Sequence, residues 1–166
     1  MAGAHAFSRL DGMSITMRYA TSADIPEIVA MLADDPLGAA RESTDDPKPY
    51  LAAFERIAAD PHQHLMVAVR PEDPDTVVGT LQLSVIHGLS RRGASRALIE
   101  AVRVHAAQRG AGLGGEMIGW AVAEARRQGC AVVQLTSDAT RVDAHRFYER
   151  LGFEASHLGF KMMLDG

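Results

Sequence analysis

The hydrophobic and polar positions along the chain predict a regular succession of strands and helices. Apolar and polar residues alternate over residues 14–19, which is the pattern of a half-buried strand. A helical repeat follows, with Thr21 or Ser22 as its cap and Pro26 in its first turn, where proline is tolerated. The later predicted elements are a helix over 49–59, strands over 64–69, 77–86 and 97–104, a helix over 112–128, a strand over 131–136, a helix over 140–151 and a final strand or strand pair over 153–164.

Single residues add detail to these elements. Gly79 lies inside a predicted strand and indicates a bulge there. Gly152 follows the last predicted helix in the position that most often ends a helix. The strand over 131–136 reads as buried. In the strand over 97–104, strict alternation would place four side chains on one face, namely Leu98, Glu100, Val102 and Val104.

The order of the elements predicts the fold class. The front half is a meander and the back half contains a crossover unit, so the chain is α/β (mixed α+β) with helices on both faces of a mixed sheet. We expect one domain over residues 14–166, preceded by a disordered tail over residues 1–13.

Composition narrows the class of protein. The 166 residues are 47% hydrophobic and 23% charged, as in ordinary globular domains. Cys130 is the only cysteine, which excludes an intramolecular disulfide and favours a reducing, cytoplasmic location. No run approaches the roughly 18 apolar residues of a membrane span. The net charge of −4 counts against bulk binding of nucleic acid.

The charge is distributed unevenly along the chain. Residues 1–83 carry 6 basic and 13 acidic residues, whereas residues 84–166 carry 11 and 8. A net charge of +3 on the second half is consistent with an anionic ligand there. An uneven surface with no ligand explains the same numbers.

A glycine-rich turn between a predicted strand and a predicted helix is the most informative segment. Glycine permits positive φ and close approach of a ligand to the backbone, and the first N–H groups of a helix face outward toward an anion. Arg109 adds a positive charge beside Gly110, Gly112 and Gly114. The segment therefore predicts a cradle for a pyrophosphate, although a turn without a ligand could also use glycines.

A dinucleotide-binding fold is one alternative for this turn. Residues 110–115 satisfy the pattern G-x-G-x-x-G, and Asp138 could contact a ribose after the next strand. In that fold, however, the first glycine follows the strand almost directly, whereas residues 105–109 intervene here. Only 28 residues follow Asp138, which is too few for the rest of such a sheet.

A second family fits the same residues better. Arg109-Gly-Ala-Gly112-Leu-Gly114 resembles the Gln/Arg-x-x-Gly-x-Gly/Ala signature of the GNAT superfamily of acyl-CoA-dependent N-acetyltransferases. Residues 99–104 resemble the strand that precedes this signature. Asp143-Ala-His-Arg-Phe147-Tyr148-Glu-Arg-Leu-Gly152-Phe153 resembles the late helix of the family and its ending. The resemblance spans about residues 15–164 and implies a twisted, largely antiparallel sheet with a splayed central strand pair.

The resemblance also implies acetyl-CoA as cosubstrate and a set of residues that bind it. The turn would hold the pyrophosphate, and the backbone of the preceding strand would hold pantetheine. Many members have asparagine three residues before the alanine of the late helix; here that residue is Arg141, which could meet a phosphate or face water. The predicted cofactor-binding residues are Val102, Val104, Arg109, Gly110, Ala111, Gly112, Leu113, Gly114 and Arg141.

Two residues are predicted to be catalytic. Tyr148 matches the tyrosine that members of the family often use as the acid, although Ala144, Phe147, Tyr148 and Leu151 also form a core stripe. Glu100 is the charged side chain of an apolar strand, and partial burial would raise the pKa of its carboxylate toward that of a base. An ion pair with an arginine such as Arg96 or Arg103, or an exposed edge, is the alternative for Glu100. His87 and His105 are weaker candidates for the base.

The acceptor is predicted to be a primary amine of a small molecule, acetylated by direct attack in a ternary complex. Carboxylates over residues 34–46 could attract a cationic amine, or could simply belong to a solvated loop. A protein lysine or N-terminus is an alternative acceptor, and a non-catalytic acyl-CoA-binding module is an alternative function. No metal is expected, because His62 and His64 lack an evident third ligand. No nucleic acid or membrane partner is expected, and the family resemblance allows a homodimer.

Overall fold

Five strands form one sheet in the order in which they occur along the chain. The computed structural model describes residues 12–34 and 38–164, so most of the predicted tail and Asp35 lie outside the described residues. Neighbouring strands pair antiparallel from β1 through β4, which confirms the mixed α/β class with a largely antiparallel sheet. The strands are β1 (Thr16–Tyr19), β2 (Gln63–Arg70), β3 (Asp73–Ile86), β4 (Ser95–Val104) and β5 (Cys130–Leu135).

The predicted helices are all present, with ends shifted by a few residues. The first begins with a 3₁₀ turn at Ser22–Asp24, in which Thr21 and Asp24 form a capping box. A single turn, α3, lies between β3 and β4, and the positive φ angles of Arg91 and Arg92 keep it from being a regular helix. The helices are α1 (Ile25–Ala33), α2 (Lys48–Ala59), α3 (Ser90–Gly93), α4 (Leu113–Arg127) and α5 (Val142–Arg150).

The sheet is covered on both faces. On one face, side chains of α1, β2 and β3 form a hydrophobic cluster, and the partly buried side of α2 packs against it. The cluster consists of Ile25, Ile28, Val29, Met31, Val67, Val69 and Val77. On the other face, α4 lies so close that a Cβ at Gly79 would be 2.7 Å from Met117 Sδ. The strand register shifts beside Gly79, which confirms the predicted irregularity. Met117 and Trp120 of this helix are buried.

The predicted alternation along β4 is wrong, because the strand contains a bulge. Glu100 pairs with Gln82 and Arg103 pairs with Thr80, so three steps on β4 face two on β3. Ala101 takes up the extra residue with a φ of +52°, a left-handed conformation that is unfavourable for alanine. The side chain of Glu100 therefore lies on the face of α1 and α2, whereas that of Val104, opposite Gly79, lies on the face of α4.

The predictions for the end of the chain are confirmed only in part. Gly152 has a φ of +90°, and the amides of Gly152 and Phe153 donate to the carbonyls of Glu149 and Tyr148 at 2.9 and 3.1 Å. These bonds form a Schellman motif, as the glycine predicts. The predicted final strand over residues 153–164 is wrong, since this segment has no regular secondary structure. The strand β5 is exposed or half-buried rather than buried.

The chain divides into two compact units, Met1–Gln134 and Leu135–Gly166. The first unit contains α1 to α4 and nearly the whole sheet. The second contains α5 and the segment that follows it. Within the described residues, no helix is both long enough and apolar enough to cross a membrane.

Candidate active site

The glycine-rich turn connects β4 to α4 through a short 3₁₀ turn at Ala106–Gln108. His105 caps that turn, and its amide donates to the carbonyl of Val78 at 2.9 Å, which fixes the start of the connection on β3. Gly110 and Gly112 have φ angles of +83° and +82°, and a Cβ at either would meet nothing within 4 Å. Backbone conformation therefore requires these glycines, and the space beside them is open.

The first turn of α4 presents backbone amides to that open space. Gly112 is the N-cap, and its carbonyl accepts hydrogen bonds from Gly115 and Glu116 at 2.9 and 3.3 Å. The amides of Leu113 and Gly114 precede the first intrahelical donors, so helix geometry leaves them available to a ligand. The Leu113 side chain is buried and anchors the turn in the core. These amides could donate to an anion such as the diphosphate that the sequence predicts to bind here.

Arg109 is engaged with the protein itself. Its Nη2 donates to Asp34 Oδ2 at 2.7 Å and to the carbonyl of Asp34 at 3.3 Å. Its Nε donates to the carbonyl of Val104 at 3.2 Å. One guanidinium therefore connects the turn, the end of β4 and the end of α1. Asp34, which the sequence places among carboxylates for the acceptor amine, is instead the partner of this arginine.

The carbonyls of the two predicted pantetheine-binding valines also accept hydrogen bonds from arginines. Arg103 Nη1 donates to the carbonyl of Val102 at 2.9 Å, and Arg109 bonds that of Val104. Both valines are half-buried. Val102 follows Ala101 in the bulge. The bulge therefore determines which backbone groups of Val102 can pair with a neighbouring strand.

Glu100 lies beside this bulge and is exposed. The expectation of a partly buried carboxylate is therefore wrong, and so is its shared face with Val104. The shared face is lost because the positive φ of Ala101 rotates the strand after Glu100, and the exposure of Glu100 matches the exposed-edge alternative. Glu100 shares its face with Gln82, its partner on β3.

A cavity of about 110 Å³ lies on the same face, between the sheet, α1 and α2. Its walls reach from Tyr50 and Phe54 on α2 to Gln82 and Ala101 at the bulge. No pattern in the sequence predicts this cavity. The apolar side of α2 was visible in the sequence, but nothing there showed that α2 packs loosely enough to leave space beneath it.

Tyr148 and Arg141 belong to the second unit. The Tyr148 ring contacts Phe147 and Phe153 edge-on, with centroids 5.2 and 6.0 Å apart, and it is half-buried. Arg141 is exposed at the N-cap of α5, where its amide donates to the carbonyl of Asp138 at 3.0 Å. Leu151, at the end of the predicted core stripe, is exposed.

Asp138 has a local role. Its Oδ1 accepts from the amide and the hydroxyl of Thr140 at 2.9 and 2.6 Å, and these hydrogen bonds lower the pKa of the carboxyl. The carboxylate of Asp138 is therefore held by hydrogen bonds within the loop before α5.

The sheet also differs from that of a dinucleotide-binding fold. Its strands β1 to β4 are antiparallel, and a 3₁₀ turn separates β4 from the glycines.

Among the histidines of the first unit, His105 directly precedes the 3₁₀ turn that leads to the glycines. His87 Nδ1 lies 2.7 Å from Ser95 Oγ, and its ring contacts His62 edge-on with centroids 4.6 Å apart. His105 Nε2 lies 3.7 Å from Glu27 Oε1, and both side chains are about half exposed. Among residues 12–34 and 38–164, no three His, Cys, Asp or Glu side chains are grouped to hold a metal ion.

Comparisons with known protein sequences agree on one family. A sequence model of the acetyltransferase (GNAT) family matches residues 26–153. The aminoalkylphosphonate N-acetyltransferase of Salmonella typhimurium is 29% identical over 151 residues, covering 89% of this chain and 90% of that protein.

Solved structures agree with the fold. A transcriptional regulator from Bacillus halodurans C-125 has a TM-score of 0.85 and 45% identity, over 90% of this chain and 99% of the other. An acetyltransferase from Trypanosoma brucei has a TM-score of 0.67 and 25% identity, over 90% and 99% of the two chains.

Proposed function

Because the chain belongs to the GNAT family of acetyltransferases, we propose that it transfers acetyl from acetyl-CoA to a primary amine of a small molecule. The family relationship makes it an acetyl-CoA-dependent N-acetyltransferase; the small-molecule acceptor is the proposal. The Salmonella relative, whose name specifies an aminoalkylphosphonate, supports an acceptor of that size.

The observation that carries the cofactor assignment is the open cradle at the start of α4. Gly110 and Gly112 hold positive φ angles with free space around them. The amides of Leu113 and Gly114 provide donors for the pyrophosphate, with Ala111 exposed between the glycines. Arg109 positions this turn through Asp34, and the Val102 and Val104 backbone continues the proposed binding surface toward the bulge.

Acetyl-CoA supplies an activated thioester carbonyl, and the protein supplies proton transfer. A primary amine is mostly protonated at neutral pH, so a base must remove its proton before attack. We assign this role to Glu100, whose exposure suits transfer through a water molecule. The departing thiolate needs a proton, which we assign to the Tyr148 hydroxyl, with Arg141 near the start of the same helix as a candidate for a phosphate contact.

Direct attack of the amine is favoured over a covalent acetyl-enzyme. Cys130 is half-buried at the start of β5, and burial raises the pKa of its thiol. A raised pKa reduces the thiolate fraction that a nucleophilic cysteine requires. The proposed reaction therefore proceeds in a ternary complex.

A thermal-shift screen tests the proposed function. We expect acetyl-CoA and CoA to raise the melting temperature, and NADH, NADPH and ATP to leave it unchanged, because only a ligand of the folded state stabilises it by mass action. The control is Gly112→Ala, which adds a Cβ at a positive φ and should remove the shift. A shift with NADH alone would contradict the proposal.

A non-catalytic acyl-CoA-binding module is the second candidate function. The 45% identical Bacillus halodurans protein, described as a transcriptional regulator, favours it. An amine panel discriminates the two, since a binding module gives the thermal shift without forming an acetylated product.

A further inference from the structure

We propose that the acceptor amine carries a small uncharged aliphatic group, which binds in the cavity between α1, α2 and the sheet. This inference rests on the proposed function and specifies its substrate class. The cavity has a volume of about 110 Å³, somewhat less than the roughly 150 Å³ that accommodates benzene in a protein interior. A branched group of four or so carbons is of the right size.

The walls of the cavity carry no charged side chain. Nine of the twelve lining residues are apolar, and the other three are Tyr50, Thr80 and Gln82. The apolar lining consists of Ile25, Ile28, Val29, Leu32, Ala53, Phe54, Ile57, Leu65 and Ala101. A phosphonate or carboxylate placed there would lose its hydration without gaining a charged partner.

The polar side chains of the lining are already engaged within the protein. The Tyr50 hydroxyl donates to Glu42 Oε2 and accepts from the amide of Ser43, each at 2.9 Å. Thr80 Oγ1 donates to the carbonyl of Met66 at 2.9 Å, and Gln82 Nε2 donates to Gln63 Oε1 at 2.8 Å. The cavity therefore selects by shape and apolar contact rather than by hydrogen bonds.

Loose packing of α2 explains why the space exists. Ile25, Ile28 and Val29 of α1 are buried against the sheet, whereas α2 has no fully buried residue. Phe54 and Ile57 face the cavity but remain half-buried. An aliphatic group in the cavity would complete the burial of this side of α2, which is a favourable source of binding free energy.

The position of the cavity relates it to the proposed chemistry. Gln82 and Ala101 line its end at the β4 bulge, and Glu100 is the strand partner of Gln82 on the same face. An acceptor whose aliphatic group occupies the cavity can therefore direct its amino group toward the Glu100 end. No element of the second unit is needed for this placement.

Steady-state kinetics with an amine panel test the inference. We expect kcat/KM for isobutylamine to exceed that for ethylamine by more than about tenfold, since one methylene in an apolar pocket changes specificity by about 10- to 200-fold. Isobutylamine should also exceed 2-aminoethylphosphonate. A preference for the phosphonate, or equal rates with ethylamine and isobutylamine, would overturn the inference and leave the proposed function intact.

A pair of neighbouring substitutions on α2 provides the structural control. Ala53 lines the cavity and Ala52 is exposed on the same helix. Ala53→Leu should fill the cavity and lower kcat/KM for isobutylamine at least about tenfold, with an unchanged KM for acetyl-CoA. Ala52→Leu should change neither constant. Equal effects of the two variants would contradict a binding role, and absence of product with every amine would contradict the proposed function itself.

Discussion

The guanidinium of Arg109 and the carboxylate of Asp34 form an ion pair 2.7 Å long across 75 residues of sequence. The pair connects the turn before α4 to the end of α1. Both side chains are about half exposed, so the pair contributes at most about 1 kcal/mol to global stability. We expect the ion pair mainly to fix the geometry of the turn that we propose to hold the cofactor.

We expect Asp34→Ala and Arg109→Ala each to weaken CoA binding about two- to fivefold, which corresponds to a loss of up to about 1 kcal/mol. The double variant should bind CoA no more weakly than Arg109→Ala alone, because both changes remove the same interaction. Isothermal titration calorimetry measures these affinities.

Asp45→Ala is the control for this cycle, since Asp45 is an exposed carboxylate in the loop that follows α1. Tighter binding of CoA by Asp34→Ala would contradict the positioning role. It would indicate that Asp34 competes with phosphate for the guanidinium.

The second prediction concerns the phenol of Tyr148. Tyr148→Phe should lower kcat about a hundredfold, because general acid catalysis commonly contributes that much, and should leave the KM for acetyl-CoA nearly unchanged. The ring contacts with Phe147 and Phe153 remain in the variant, so its fold should be preserved. Tyr19→Phe removes a hydroxyl from β1 and serves as the matched control. An unchanged kcat for Tyr148→Phe would remove the acid assignment.

The third prediction concerns Glu100 as the base. Glu100→Gln preserves the shape of the side chain and removes its charge, so kcat/KM should fall about a hundredfold and the acidic limb of the pH–rate profile should move. Glu55→Gln, an exposed change on α2, should leave the profile in place. If the limb stays where it was in Glu100→Gln, another group removes the proton.

The fourth prediction concerns stability at low pH. His64 is 5% exposed, its Nδ1 lies 2.7 Å from the Tyr19 hydroxyl, and its buried Nε2 has no hydrogen-bond partner among the described residues. Burial lowers the pKa of His64, although Glu124 on α4 partly opposes this, while Arg127 and His62 add to it. The folded state therefore takes up a proton less readily than the unfolded chain.

Because the folded pKa is lowered, the stability that neutral His64 contributes is present above about pH 6.5 and is lost as the pH falls toward the folded pKa. His64→Asn retains a polar group at the Nδ1 position but does not titrate, so its melting temperature should depend less on pH below about 6.5. His62→Asn, at an exposed histidine, should keep the dependence of the parent protein. Equal pH dependence in both variants would contradict the prediction.

Much of the fold could be predicted from sequence because its signals are local. The capping residues before α1, the glycines before α4 and Gly152 after α5 each act through their own backbone conformation. Periodicity then identified the faces that meet the sheet. These features depend on few distant contacts, so the four longer helices and all five strands follow from residue type and spacing.

The site was harder to predict where it depends on register. Ala101 carries no signal of a bulge, since alanine rarely adopts a positive φ, yet this one residue changes the face of every later side chain of β4. The partner of Arg109 could not be predicted either, because Asp34 is distant in sequence. Likewise, the alternation of Leu158, Phe160 and Met162 resembles a strand, but these side chains are 85–92% exposed in a segment without strand pairing.

Tyr50 has two functions at once, and together they limit what the protein can accept. One side of its ring forms a wall of the cavity, while its hydroxyl holds Glu42 and Ser43 of the loop before α2. A group too large for the cavity would have to displace this ring and break both hydrogen bonds. The largest acceptor is therefore determined by the stability of a surface loop as much as by the volume of the cavity, and substitutions in that loop could widen the substrate range without changing any residue that touches the substrate.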